Sequence, residues 1–153
     1  MNYNLINGGK TMNVKEVLEN YNVYKLRITI KEKEIDKLKN ELYGLQSQKL
    51  DGMPKPKGFT TSKLEEMIIR VEGKISKKEE YINELKNNIR IIDELIKTLK
   101  RDSQNIIEMR YIQKMSIEEI MDKDKKKRSY KTIQKIISKS INIMQLEYAK
   151  NMK

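Results

Sequence analysis

Apolar residues recur at intervals of three, four and seven through the first two thirds of the chain, in two series separated by a polar segment. Intervals of three, four and seven are typical of a heptad seam. The separating segment, residues 51–61, reads DGMPKPKGFTT, and its two Pro and two Gly cannot continue a helix. The first series consists of Tyr21, Tyr24, Ile28, Ile35, Leu38, Leu42 and Leu45. The second consists of Leu64, Ile68, Val71, Ile75, Ile82, Leu85, Ile89, Ile92, Ile96 and Leu99.

The two series predict a pair of long helices joined by a loop at 51–61, which together form an antiparallel helical hairpin or coiled coil over residues 13–100. Ser62 begins the sequence SKLE, whose Ser-x-x-Glu pattern is a capping box and predicts the start of the second helix. The seams pack on each other or on a second chain, and we expect the protein to form a homo-oligomer. Residues 1–12 are predicted to be a flexible N-terminal tail.

The pattern changes in residues 101–153, where three shorter apolar stretches follow one another. The stretch QNIIEMRYI predicts a first helix of about nine residues, with Asp102 or Ser103 as its N-cap. Ser116 opens a second capping box, SIEE, so residues 113–115 connect the first helix to a second. The buried face of the second helix is predicted to consist of Ile117, Ile120 and Met121.

A third and longer helix is predicted after the DKDKKKR run, with Ser129 as its N-cap. Its inner face is predicted to comprise Ile133, Ile136, Ile137, Ile141 and Met144. Its outer face, in the first turns, comprises Tyr130, Lys131, Thr132, Gln134, Lys135, Ser138 and Lys139. The hydroxyl, amide and ammonium groups of this outer face suit phosphates and base edges. Two short helices and a longer one, separated by tight connections, predict a helix-turn-helix domain.

Basic residues outnumber acidic ones, with 33 Lys and Arg against 22 Asp and Glu and a formal net charge of +11. Residues 101–153 hold 13 basic and 7 acidic side chains, net +6, and residues 1–100 hold 20 and 15, net +5. This charge favours an anionic partner, with nucleic acid ahead of a membrane. Two alternatives stay open: a solvated basic helix face without a partner, and a bias toward Lys, Ile and Asn from AT-rich coding.

Several kinds of chemistry are absent from the sequence. The chain contains no Cys and no His, which removes thiolate chemistry, disulfides, and the commonest general base and metal ligand. NGGKT at residues 7–11 lacks the upstream Gly of a phosphate-binding loop, and the acidic residues alternate with Lys as on solvated helix faces. We therefore expect no enzymatic activity, no cofactor and no metal site. The first residues lack the apolar run of a signal peptide, and we expect a soluble intracellular protein.

The sequence IIEMRYIQKMSIEEI, followed by SYKTIQKIISKSI, resembles the region 4 helix-turn-helix of sigma-70-type transcription factors. In that family an apolar helix ends in an Arg-Tyr-like pair, a Ser or Thr precedes a Glu-Glu-Ile, and a Ser-x-x-Thr opens the recognition helix. The resemblance covers about residues 103–146. The larger layout, with a helical region, a GMP loop, a second helix and this motif, is similar to phage transcriptional regulators of the ArpU/RinA type.

The resemblance implies binding of double-stranded DNA by the helix that follows Ser129 and a location in the cytoplasm of a bacterial host, and it leaves contact with RNA polymerase open. Between Ile120 and Ser129 the family has a shorter turn with a Leu-Gly, whereas this chain has MDKDKKK. The longer turn either loosens the motif or brings its own lysines to phosphate. The residues expected at the DNA are Lys126, Lys127, Arg128, Ser129, Tyr130, Lys131, Thr132, Gln134, Lys135 and Lys139.

Together these patterns predict an all-α protein, with a long helical hairpin followed by a C-terminal helix-turn-helix domain at residues 101–153. The favoured function is a sequence-specific transcriptional regulator encoded by a phage or prophage. A small terminase-like DNA-packaging subunit is one alternative, because such subunits also combine DNA-binding and oligomerising helices. A coiled-coil adaptor whose C-terminal motif binds protein is the other.

Overall fold

Every regular element among the described residues, 12–51 and 61–151, of the computed structural model is helical. The elements in chain order are α1 (Val14–Glu19), α2 (Tyr21–Asp51), α3 (Thr61–Lys97), α4 (Arg101–Ile107), a π-helical segment (Glu108–Ile112), α5 (Ile117–Lys123) and α6 (Tyr130–Asn151). The predicted all-α class is thereby confirmed. Residues 1–11 of the predicted tail and residues 52–60 of the predicted loop lie outside the described residues.

Local side-chain chemistry explains where two of the short helices begin. Asn13 is the N-cap of α1, and its Oδ1 accepts a hydrogen bond of 3.1 Å from the backbone amide of Glu16. At the start of α5 the Glu119 amide donates to Ser116 Oγ, and the Ser116 amide donates to Glu119 Oε1, both over 3.2 Å. The capping box predicted from SIEE is therefore confirmed.

Two predicted boundaries in the long helices differ from the structure. The first helix is interrupted at Asn20, whose backbone leaves the helical region with φ −103° and ψ 7°. Its side-chain Nδ2 donates to the Glu16 carbonyl over 2.9 Å, beside the bond of 3.2 Å from its own backbone amide, so the side chain stabilises the end of α1. α3 begins at Thr61, so Ser62 lies inside the helix and is not its N-cap.

The predicted cap of α4 is also wrong, because Lys100 rather than Asp102 or Ser103 occupies the N-cap position. Asp102 lies in the first turn of the helix instead, where the helix dipole favours a carboxylate. Gln104 Nε2 donates to the Leu99 carbonyl over 2.8 Å, so this backbone acceptor just before α4 has a hydrogen-bond partner. A side-chain bond to the backbone just before α4 thus stabilises its start without a capping hydroxyl.

The described residues pack as two compact units. We call residues 26–51 and 61–84 the two-helix unit, and residues 12–25 together with 85–151 the composite unit. The composite unit contains residues 101–151 of the predicted C-terminal domain and, in addition, residues 12–25 and 85–100, which the sequence pattern places in the predicted tail and hairpin. Met12, which was expected in the tail, is 1% exposed and belongs to the core of this unit.

In the two-helix unit, α2 and α3 bury most of the predicted seam residues. The buried residues are Ile28, Ile35, Leu45, Leu64, Ile68, Val71, Ile75 and Ile82. Lys78 Nζ lies 3.0 Å from Glu34 Oε2, and Lys31 Nζ lies 5.8 Å from the centroid of the Tyr81 ring. The contacting residues follow opposite orders along α2 and α3, so the two helices run antiparallel in this unit.

In the composite unit, α1, α4 and α5 pack on α6, and the π-helical segment packs on α1, α4 and α5. Residues with almost no exposure form the core and include Met12, Val14, Leu18, Leu95, Ile107, Ile120, Ile133 and Met144. Gln145 of α6 joins the two ends of the unit, because its Nε2 donates to the Met12 carbonyl over 2.8 Å and its Oε1 accepts from the Val14 amide over 3.0 Å. The N-terminal segment is therefore bound to the C-terminal helix through both atoms of one amide.

The face of α3 that the composite unit buries is wider than the predicted seam. Ile91 and Leu95 are buried although they lie outside the heptad series, whereas Ile89, which belongs to the series, is half-buried. Asn88 is 1% exposed, and among the described residues neither atom of its side-chain amide has a hydrogen-bond partner. A broad buried face is typical of a helix inside a core of several helices rather than of a two-helix seam.

Candidate nucleic-acid interface

Side-chain hydroxyls fix the start of α6. Ser129 Oγ accepts a hydrogen bond of 3.3 Å from the backbone amide of Thr132 and lies 3.0 Å from Thr132 Oγ1. The Ile133 amide donates to the Ser129 carbonyl over 3.0 Å, which is the first bond of the helical ladder. Ser129 therefore caps α6 as predicted. Its hydroxyl and that of Thr132 are bound to each other rather than turned toward a partner.

α6 presents an apolar face to the core and a polar face to solvent. Its buried residues are Ile133, Ile137, Ser140, Met144 and Tyr148. On the exposed side, residues spaced four apart form two adjacent ridges. We call Lys131, Lys135 and Lys139 the lysine ridge, and Gln134, Ser138 and Asn142 the polar ridge; all six side chains are exposed. Glu147 is the first acidic residue of α6, so both ridges lie on a part of the helix without negative side chains.

The turn before α6 is organised around the buried carboxylate of Asp124. One oxygen accepts from the Arg128 amide over 2.8 Å and from Arg128 Nε over 2.9 Å, and the other accepts from Arg128 Nη2 over 2.8 Å and from the Lys126 amide over 3.2 Å. The hydrogen bonds from the Arg128 side chain hold the pKa of Asp124 far below its usual range, although desolvation opposes this. Lys127 adopts φ 53°, the left-handed conformation that some tight turns contain. The longer turn is therefore held by an internal ion pair.

A second acidic residue ties this turn to α4. The ammonium group of Lys126 binds Asp102, and Arg128 Nη1 lies 3.6 Å from the same carboxylate. The hydrogen bond from Lys126 lowers the pKa of Asp102. Two of the basic residues predicted to contact DNA from the turn thus have carboxylate partners within the protein. Lys127 is exposed, and its backbone amide donates to the Asp124 carbonyl.

The connection between α4 and α5 also ends in a left-handed residue. The π-helical segment forms wider backbone rings, with the Gln113 amide donating to the Glu108 carbonyl over 2.9 Å. Lys114 then adopts φ 59°, and its ammonium group donates to the Glu19 carbonyl at the end of α1 over 3.0 Å. Arg110 Nη1 donates to the Met115 carbonyl over 3.0 Å. These contacts turn the chain back on itself and hold the connection against α1.

A cleft of about 630 Å³ lies between α6 on one side and α1 and this connection on the other. The polar ridge of α6 forms the first wall. Lys15 and Glu19 of α1, with Arg110 and Lys114 of the connection, form the second. The apolar residues that line the cleft are Tyr111, Ile117, Ile137 and Ile141. Burial raises the pKa of the Tyr111 phenol. The polar lining has three cations and one carboxylate.

The structure separates the predicted DNA-contacting residues by position. Gln134 lines the cleft, the lysine ridge lies beside it, and Tyr130 is exposed at the first residue of α6. The cleft also contains Lys15, whose position in α1 no motif or spacing in the sequence connects with α6. Arg110 and Lys114 belong to the stretch predicted to be a helix-turn-helix, and their charge is the signal that could have identified them.

None of the helices among the described residues combines the length and the apolar character needed to cross a membrane. In the same part of the chain, His, Cys, Asp and Glu side chains form no group of three or more that could hold a metal ion. Comparison with protein-family models, with curated proteins and with solved structures gives no match to the chain. The chemistry of its own residues is therefore the basis for a functional proposal.

Proposed function

We propose that this protein is a sequence-specific, DNA-binding transcriptional regulator, encoded by a phage or prophage, that reads the major groove with α6. The observation that carries the proposal is the division of α6 into a buried apolar face and an exposed face of lysine, amide and hydroxyl groups. Because Ile133, Ile137 and Met144 are buried, the helix cannot rotate, and the two exposed ridges have a fixed direction. A helix of this kind, following a second short helix and a turn, is the DNA-reading element of a helix-turn-helix.

Each exposed group suits a different part of a DNA duplex. The side-chain amide of Gln134 can donate to and accept from the two groups that adenine exposes in the major groove. The ammonium groups of the lysine ridge are point charges that suit phosphates and carry little sequence information. We assign base reading to the polar ridge and backbone contact to Lys131, Lys135 and Lys139.

The residues around the turn have supporting roles in this proposal. Arg128 neutralises Asp124, and Ser129 and Thr132 fix the start of α6 through their hydroxyls. We therefore assign phosphate contact in the turn to Lys127, and to Lys126 only where DNA displaces its bond to Asp102. The structure gives a physical reason to expect weaker effects of substitution at Lys126 than at Lys127, since only Lys126 must give up an ion pair.

For the two-helix unit we propose a role in oligomerisation, as part of an antiparallel helical hairpin. Exposed apolar residues support this role, since Leu26, Ile30 and Ile69 lie on α2 and α3 with 47–68% of their surface accessible. A dimer would bring two copies of α6 to two half-sites on one duplex. Affinity for a two-site duplex would then exceed that for a single half-site without any additional contact within each half-site.

The test is selection of binding duplexes from a random library, followed by titration of Gln134→Ala against a selected and a scrambled duplex. We expect the substitution to cost about 1–3 kcal/mol on the selected duplex and little on the scrambled one. Gln46→Ala is the matched control, because Gln46 is an exposed glutamine of α2 in the other unit. Lys131→Ala with Lys135→Ala is expected to weaken both duplexes alike.

Two results would contradict the proposal. If selection yields no preferred sequence and the chain binds no duplex, the protein is not a DNA-binding regulator, and the adaptor alternative takes its place. If Gln134→Ala lowers the affinity for both duplexes equally, or for neither, then Gln134 does not read bases and α6 is not the recognition helix.

A further inference from the structure

We propose that the cleft beside α6 holds one strand of the DNA backbone, and that α1 takes part in DNA binding through Lys15. The inference rests on the proposed function and extends it to an N-terminal helix outside the helix-turn-helix stretch. Lys15 and Lys114 contact phosphates of the strand on the cleft side of the major groove. The lysine ridge of α6 contacts phosphates of the opposite strand.

The order of side chains across this surface carries the inference. The lysine ridge, the polar ridge, and the wall of Lys15 and Lys114 follow one another, with the cleft between the last two. A major groove has the same order, with a phosphate strand, base edges and a second phosphate strand. The polar ridge from Gln134 to Asn142 extends roughly 12 Å along α6, at about 1.5 Å per residue. That length suits an extended groove wall better than a single small anion.

The charge on the cleft wall agrees with a phosphate partner. The charged residues that line it are three cations, Lys15, Arg110 and Lys114, and one carboxylate, Glu19. The Lys114 ammonium group uses one donor on the Glu19 carbonyl, and its remaining protons can still bind phosphate. The wall is also held in place before DNA arrives, because Gln145 binds both Met12 and Val14 and so fixes α1 on α6. Little ordering is needed for Lys15 to reach its partner.

The experiment compares the full-length protein with Lys15→Gln/Lys114→Gln on a selected and a scrambled duplex at several salt concentrations. We expect affinity for both duplexes to fall about tenfold or more at low salt. The slope of log affinity against log salt should become shallower by about two units, because two phosphate contacts are lost. The ratio between selected and scrambled duplex should stay unchanged, since neither lysine reads bases.

Lys86→Gln/Lys97→Gln is the matched control, because it removes the same charge from exposed positions of α3 outside the cleft. We expect it to leave the salt slope unchanged. Glu19→Gln removes the carboxylate of the cleft and should raise affinity severalfold. Lys15→Gln alone, at an exposed helical position, guards against a folding defect caused by substitution at the left-handed Lys114, and should flatten the slope by about one unit.

An unchanged slope in the cleft variants, together with an intact effect of Gln134→Ala, would overturn the inference and leave the proposed function standing. Loss of binding to an acidic polypeptide such as poly-glutamate, with DNA binding retained, would also overturn it and assign the cleft to a protein partner. Absence of any DNA binding by the unsubstituted protein would instead reject the proposed function, and this inference with it.

Discussion

The two compact units bury their apolar residues to different depths. In the two-helix unit the buried seam residues keep between 4% and 8% of their surface exposed, apart from Leu64. In the composite unit Ile92, Ile107, Ile133 and Met144 have 0% exposure. Two helices leave the flanks of their seam in contact with water, whereas several helices can enclose a residue completely. A heptad pattern thus predicts which residues touch, but the number of surrounding helices decides how deeply they are buried.

The units also differ in how they use charge. Glu34 of the two-helix unit pairs with Lys31 and Lys78 at the surface, where water screens the interaction. Asp124 of the composite unit is buried and accepts hydrogen bonds from the side chain and backbone of Arg128. The ion pairs of Glu34 lie on the surface of two packed helices, whereas the ion pair of Asp124 holds a turn in one conformation. The turn it holds is the one that sets the direction of α6.

The largest expected difference between the units is in the free energy of unfolding that is lost when a buried Ile in each core is replaced by Ala. Ile133→Ala should lower the free energy of unfolding by about 4 kcal/mol, because the fully enclosed site cannot collapse onto the cavity. Ile35→Ala should cost about 2 kcal/mol, since solvent already reaches the flank of the seam. Urea-induced unfolding monitored by circular dichroism measures both losses.

Hydrogen exchange, measured separately in α6 and α2, assigns each loss to its unit. Equal losses at the two positions would mean that depth of burial does not distinguish the units.

A smaller difference is expected when a carboxylate is replaced by its amide in each unit. Asp124→Asn should destabilise the composite unit by about 2 kcal/mol, because it removes a charged acceptor from a buried network. Glu34→Gln is the matched change in the two-helix unit and should leave the melting temperature unaltered, since the two ion pairs that it weakens are half-exposed and screened by water.

The same pair of variants has a pH signature. The pKa of folded Asp124 is lowered, so its contribution is fully present above the ordinary aspartate pKa of about 4 and is lost as the pH falls below that value. The stability difference between the unsubstituted protein and Asp124→Asn should therefore shrink on acidification. A difference that stays constant from pH 7 down to pH 3 would show that the charge of Asp124 is not what holds the turn.

The smallest expected effect is a gain in stability. Asn88→Leu replaces a buried amide that lacks hydrogen bonds among the described residues by an apolar side chain of the same shape. We expect the free energy of unfolding to rise by about 1 kcal/mol, because the cost of burying the unpaired amide disappears. Asn87→Leu is the control one residue away, where Oδ1 accepts from Arg90 at the surface. It should change stability by less than about 0.5 kcal/mol. A loss of stability at position 88 would mean that the amide has a partner in solution.

Much of the fold could be predicted because local rules and packing agree in the regular parts of the chain. The seam positions, the SIEE box and the cap at Ser129 each depend on residues within a turn or two of one another. The break at Asn20 and the burial of Met12 could not be predicted in this way. The burial of Met12 depends on contact with α6, which is far away in sequence, and nothing in the apolar spacing marks the end of α1 at Asn20.

In the candidate site, too, some residues could be predicted from local periodicity and others required the tertiary structure. The outer face of α6 follows from its own periodicity, and Gln134 and the lysine ridge were therefore identified from sequence. The pairing of Arg128 with Asp124 required the geometry of the turn, because a run of basic residues does not reveal which of them has a partner. Lys15 required the tertiary structure, since only the packing of α1 on α6 brings it to the cleft.

The bond between Gln145 and the N-terminal segment has a consequence for synthesis of the chain. Val14 and Gln145 are 131 residues apart, so the ribosome makes α1 long before the residue that fixes it. At about 5–20 residues per second, α1 waits on the order of ten seconds without its final partner. During translation the early seams can associate while the composite unit is still open. Completion of the surface that we propose for DNA is thus delayed until α6 has been synthesised.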